Sequence, residues 1–153
     1  MARRAAFGEV RLIRVLADTD VLLDVLLARQ PWLPESAALW QAHEDGQINA
    51  YITATAITNI FYVVRRSAGL ERAMASVRIC LDTFEIIAVD GRAPEDAADL
   101  TGSDFEDNVQ IARATSAQLD MIVTRNVPDF RSAPMPALTP TELRARLSPT
   151  EES

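Results

Sequence analysis

Arg11-Leu-Ile-Arg-Val-Leu-Ala-Asp-Thr-Asp-Val-Leu-Leu-Asp24 is the stretch on which the fold turns. Its first half, Arg11 to Ala17, has the apolar density of a parallel strand buried on both faces. Asp18-Thr19 stops that strand and can cap the next element, a helix through Val21-Leu-Leu-Asp-Val-Leu-Leu27. A buried strand running directly into a helix is the opening unit of an α/β domain.

Outward from this unit the alternation continues. After Pro31 and Pro34 the pattern predicts a helix from about Glu35 to Asp45, closed by Gly46 at a helix C′ position. Ala50-Tyr-Ile-Thr53 is a short strand candidate. Ile57, Ile60, Phe61 and Val64 then recur at helical spacing up to Gly69. Next come a helix over Leu70 to Asp82, a strand over Phe84 to Val89 and a short helix over Pro94 to Leu100, broken by Gly102. Ser103-Asp-Phe-Glu106 reads as a capping box that opens a helix running to about Gln118. Met121-Ile-Val-Thr124 is a further strand, and Ala137-Leu-Thr139 with Pro140 to Leu147 suggests one more strand and a closing helix. Four or five strands separated by helices predict a three-layer α/β/α sandwich with a mainly parallel sheet. The 153 residues make one domain, with no repeat or linker-like shift in composition. Its expected limits are residues 15–147, after a flexible leader over 1–14 and before a frayed tail over 148–153.

Composition narrows the chemistry. The formal net charge is −7, and no lysine occurs, so all 15 basic residues are Arg. That excludes a Walker-type phosphate loop, a Schiff-base enzyme and a lysine general base. A single Cys (Cys80) and a single His (His43) exclude disulfide frameworks, Cys/His zinc sites and most nucleophilic triads. Cys80 reads as a buried small hydrophobe and His43 as a surface helix residue. No apolar run is long enough to span a bilayer, and the N-terminal segment has four Arg but no apolar signal core, so a cytoplasmic protein is expected.

In parallel sheets, ligands bind beyond the carboxyl ends of the strands. Asp18 comes directly after the first strand, and Asn126 lies two residues past the strand ending at Thr124. Asp104 and Asp107 fall in the first turn of one helix, with i,i+3 spacing that puts both on one face. Acids converging without His or Cys form the donor set of a hard cation, Mg²⁺ or Mn²⁺. Such an ion activates water and stabilises charge on a phosphate undergoing in-line displacement. Each residue has a plainer role open to it. Asp18 is equally suited to cap the first helix, Asp104 to complement its helix dipole, and Asn126 to form a turn before Val-Pro.

With these residues in view, the chain resembles the PIN-domain family and its VapC-like toxin ribonucleases, over about Val15 to Leu143. The resemblance rests on Ala17-Asp-Thr-Asp-Val-Leu-Leu-Asp24, Ala56-Ile-Thr-Asn-Ile-Phe-Tyr62, Asp104-Phe-Glu-Asp-Asn-Val-Gln110 and Ile122-Val-Thr-Arg-Asn-Val-Pro-Asp-Phe130, four motifs in order. It implies Asp18 and Asp107 as metal-binding aspartates, Asn126 at the Asp-or-Asn position after the last core strand, and Asp104 and Asp129 as additional or outer ligands. Asn59 and Asn126 would then orient water or phosphate, with Thr19 and Arg125 contacting the site or substrate. It further implies an Mg²⁺- or Mn²⁺-dependent endoribonuclease, a cognate antitoxin and a homodimer formed through the second helix or the Ala56 to Arg66 helix. One departure stands out: Asn59 occupies a position where the wider family usually carries an acid. Asp20 is the residue expected to restore that charge if it turns inward, and an inactive PIN-fold binding module is the rival reading. A haloacid-dehalogenase-type phosphatase, suggested by Asp18-Thr-Asp20, is disfavoured because such enzymes need a lysine.

Overall fold

The computed structural model describes residues 11–148. The order is β1 (Ile13–Ala17), α1 (Thr19–Leu26), α2 (Leu33–Glu44), β2 (Ile48–Thr53), α3 (Ala54–Ala68), α4 (Leu70–Thr83), β3 (Glu85–Ile87), α5 (Arg92–Ala98), α6 (Phe105–Ser116), β4 (Met121–Val123), β5 (Ala137–Leu138) and α7 (Pro140–Leu147). All five strands pair in parallel in the order β3-β2-β1-β4-β5. This is the three-layer α/β/α fold, with β1 at the centre of the sheet.

The strands alternate between two cores, as a period of two requires. Val15 and Ala17 of β1 and Met121 and Val123 of β4 face one layer, where Leu22, Leu39, Ile60, Ala73 and Leu143 pack. Leu16 and Ile122 point the other way, against Ile111, Ala114 and Phe130. Because Val15–Ala17 of β1 and the whole of β4 are buried on both sides, these segments read as apolar runs, interrupted in β1 only by the partly exposed Arg14.

Boundaries depart from expectation where local signals compete with tertiary ones. The leader expected over 1–14 overlaps β1, which begins at Ile13: the Arg14 N–H donates to Asp120 Oδ2 at 2.8 Å and Arg11 pairs with Asp120 at 3.0 Å. Residues 1–10 of that leader, and 149–153 of the expected tail, lie outside the described residues. The edge strand β3 covers only Glu85–Ile87, and α5 starts two residues earlier than Pro94 because Asp90 accepts from the N–H groups of Arg92 and Ala93.

The helix starts bring two further corrections. The capping box expected at Ser103 does not form. Asp104 is the N-cap of α6 and accepts from the Asp107 N–H at 3.0 Å, while the Glu106 side chain turns away from the helix. A true capping box closes instead around Thr139 and Glu142 at the start of α7. His43 is not a plain surface residue. Its Nδ1 accepts from the Ala50 N–H at 3.1 Å, so Nε2 carries the proton and donates to the Thr83 carbonyl at 2.6 Å, tying α2 to β2 and α4. Cys80 is buried, and desolvation pushes its thiol up to about 11.

Candidate functional site

From β1 the chain winds to β2 on one side of the sheet and, much later, to β4 on the other. The reversal opens a crevice at the carboxyl ends of β1 and β4, where their last residues Ala17 and Val123 are in register. Asp18, the next residue, is 5% exposed. Its N–H donates to the Val123 carbonyl at 2.9 Å. Oδ2 accepts from the Thr124 hydroxyl at 2.8 Å, and Oδ1 accepts from the Gln110 amide at 3.0 Å. Asp18 stands at the N-cap position of α1, yet its side chain caps nothing. Of its two oxygens, both are therefore spent on Gln110 and Thr124 and neither on the helix start.

The first turns of α6 bring three more acids to the same edge. Asp104 is exposed and engaged as the N-cap, the dipole-complementing role its position suggested. Asp107 is half-buried, and among the described residues no donor meets its carboxylate. Glu106 is held from two sides: the Thr19 hydroxyl donates to Oε2 at 3.0 Å and the Asn59 amide donates to Oε1 at 2.9 Å. Beyond β4, Asn126 is exposed and opens the 3-10 turn Val127–Phe130, its N–H donating to the Thr124 hydroxyl oxygen at 2.9 Å. Asp129 in that turn is exposed. With Gly102, Ser103, Asp104, Asp107 and Arg131 it borders a cleft of about 430 Å³. A second hollow, between α2 and α7, contains none of these acids.

Two expected participants are engaged elsewhere. Arg125 makes a two-point ion pair with the fully buried Asp24, Nε to Oδ2 at 2.7 Å and Nη2 to Oδ1 at 3.1 Å, and its guanidinium stacks on Trp32 at 4.1 Å. Asp20, expected to bring charge toward the corner of Asn59, is shared: its charge acts on Asp18 while its carboxylate faces Arg29 at 4.0 Å and remains partly exposed.

Sequence reasoning missed Glu106, Gln110 and Thr124 as members of this site. A polar signal was present: Glu106, Asp107 and Gln110 lie at i, i+1 and i+4 on a helix whose next residues, Ile111, Ala112 and Ala114, are buried. Thr124 ends an otherwise apolar strand segment and is completely buried.

Electrostatically the site is a set of carboxyl groups that raise one another's affinity for protons. Burial pushes the Asp18 carboxyl up to about 6; the Gln110 and Thr124 hydrogen bonds oppose this, and the charges of Asp20 and Glu106 add to it. Asp107 rises to about 7, first from burial and then from Asp18, Asp104, Asp129 and Glu106. Among the described residues, no arginine forms an ion pair with any of Asp18, Asp104, Glu106, Asp107 or Asp129. Buried Gln110 Oε1 also lacks a partner. Nor do three acidic, His or Cys side chains among the described residues already converge on one point. The acids nonetheless stand within charge range of one another. An all-oxygen, uncompensated donor set of this kind fits a hard divalent cation.

The model of a family described as PIN domain matches residues 14–128. No curated protein matches the chain. Solved structures that resemble it include VapC20 of Mycobacterium tuberculosis, described as a Sarcin-Ricin loop cleaving toxin (15% identity, TM-score 0.60, 71% of this chain and 86% of that one). A toxin-antitoxin complex from Klebsiella pneumoniae aligns at 24% identity with TM-score 0.60, over 82% and 97% of the two chains. FitAcB from Neisseria gonorrhoeae aligns at 18% identity with TM-score 0.64, over 83% and 98%. At these identities the likeness is one of fold.

Proposed function

We propose, from the premise that this chain belongs to the PIN-domain family, that it is a metal-dependent ribonuclease and the toxin of a toxin–antitoxin pair. The observation that carries the reading is Asp18: a nearly inaccessible carboxylate at the topological switch point, braced on both oxygens, within charge range of Asp20 and Glu106 and ion-paired with no arginine among the described residues.

Asp18 and Asp107 would hold Mg²⁺ or Mn²⁺, with Asp104 and Asp129 close at the cleft border. When bound, the ion supplies an activated water and neutralises charge on the scissile phosphate. The chain's own residues set the geometry. Gln110 and Thr124 fix the rotamer of Asp18, so that its carboxylate is oriented before substrate arrives. Asn126, exposed just past β4, offers an amide toward a phosphate or water without adding charge. Arg131 on the cleft wall is an exposed cation beside the acids, suited to a neighbouring phosphate. Thr19 acts on Glu106 rather than on substrate, and Arg125 acts on Asp24.

The phosphatase reading requires Asp18 as a free nucleophile. Such an enzyme also needs a lysine to steady the phosphoryl group, and the sequence has none. RNA as substrate, a cognate antitoxin, a homodimer and a cytoplasmic setting extend the reading by analogy with the toxins and toxin complexes of the same fold. No helix among the described residues is long and apolar enough to cross a membrane. The test is cleavage of a structured RNA by the purified chain with Mn²⁺ or with EDTA. The reading expects metal-dependent products that Asp18→Asn and Asp107→Asn each abolish; cleavage unchanged by both substitutions would overturn it.

A further inference from the structure

On α3, where the resemblance implies an acid, the chain carries the neutral Asn59. The structure shows what stands there instead. The Asn59 amide donates to Oε1 of Glu106, a residue 47 positions away on α6. Oε2 of the same carboxylate accepts from Thr19, 87 positions away at the start of α1. Three elements converge on one carboxylate, and neither donor carries charge. Glu106 is also one of the charges that act on both Asp18 and Asp107.

Two neutral donors are an unusual setting for a half-buried glutamate. An arginine partner would neutralise it, and none is present among the described residues. An amide and a hydroxyl fix its direction while preserving its charge. We propose that Glu106 supplies the site carboxylate missing at position 59, and that Asn59 and Thr19 are its positioning residues. The amide and the carboxylate have exchanged elements: the acid comes from α6 and its hydrogen-bond partner from α3, and the charge of the site is conserved. This rests on the metal-dependent reading above and specifies which acids serve it. It also removes the main ground for an inert module, because Asn59 then marks a relocated acid and not a lost one.

Calorimetric titration of the metal-stripped full chain with Mn²⁺ at neutral pH tests the proposal, with the Mn²⁺-induced rise in Tm as a second readout. Glu106→Gln is expected to weaken Mn²⁺ binding about 10- to 100-fold, the range seen when groups supporting a metal site are removed. The exchange Asn59→Glu/Glu106→Gln keeps one amide and one carboxylate in contact and is expected to recover most of that loss. Circular dichroism shows that each variant is folded. If Glu106→Gln binds Mn²⁺ as tightly as the parent while Asp18→Asn does not, the proposal fails and the metal-dependent reading stands. A double variant no tighter than Glu106→Gln alone also overturns the exchange. If Asp18→Asn itself titrates like the parent, the reading beneath the proposal is what fails.

Discussion

Asp24 illustrates how a residue's surroundings overrule its sequence context. It lies on the apolar face of α1, fully buried, accepting from Ser36 Oγ at 2.8 Å and paired with Arg125. Removing Arg125 leaves a carboxylate in the core with only Ser36 and the more distant Arg29, at 3.8 Å. Breaking a buried pair from one side costs about 3–5 kcal/mol. Arg125→Leu should therefore lower the midpoint of thermal unfolding by many degrees. Arg125→Lys should recover it only in part, because an ammonium cannot make the two-point contact. A fall in activity with no loss of stability would instead place Arg125 at the substrate. The sequence shows the charges of Asp24 and Arg125 but not their pairing across 101 positions.

The acids of the site carry a second residue-scale consequence. The folded metal-free chain holds protons on Asp18 and Asp107 more tightly than an unfolded chain does, with values near 6 and 7 against an ordinary 3.8. A raised carboxyl pKa lowers folded-state stability as pH climbs through that interval, and the penalty is complete above it. In EDTA, the contribution of these two groups should fall between about pH 4 and 7. Mn²⁺, which binds the ionised forms, should flatten the slope, and Asp18→Asn should remove its own share. Urea titrations across that range, with and without metal, measure both effects.

At the scale of elements, helix starts were legible only where the cap had no rival. Ser103 and Asp104 are both good N-cap types, and the S-x-x-E spacing favours Ser103. The decision came from outside the helix, because Thr19 and Asn59 capture the Glu106 carboxylate that a box at Ser103 would need. Thr139 had no such competitor, and its box with Glu142 forms. Thr139→Ala should therefore cost about 1 kcal/mol, while Ser103→Ala should cost close to nothing; chemical unfolding of the two variants decides between the caps. Gly102, just before α6, is constrained differently. A Cβ there would lie 2.5 Å from Oδ1 of buried Asn108, whose Nδ2 donates to the Gly102 carbonyl at 3.0 Å. Gly102→Ala must displace that amide beside Asp107, a strain of about 1–3 kcal/mol by the usual cost of overpacking. The strands were easier to read. Val15–Ala17 of β1 and the whole of β4 are buried on both faces and announce themselves as apolar runs, whereas the ends of the short edge strand β3 are set by pairing with β2 and blur in sequence.

Across the whole molecule, a net charge of −7 looks unfavourable for the proposed RNA substrate. The fold changes what that number means. Part of the negative surplus collects at one edge of the sheet, around the switch point between β1 and β4, where a divalent cation would offset it. Alternation of strands and helices made the α/β/α architecture and the positions of Asp18 and Asp107 legible. Glu106, Gln110 and Thr124 were not, because their partners lie on other elements and only the folded sheet brings them together. A crystal of the chain soaked in Mn²⁺, measured for anomalous scattering, tests the central claim most directly. The account predicts a peak bounded by Asp18, Glu106 and Asp107. Manganese bound only elsewhere, with these carboxylates ordered and no anomalous peak among them, would contradict it.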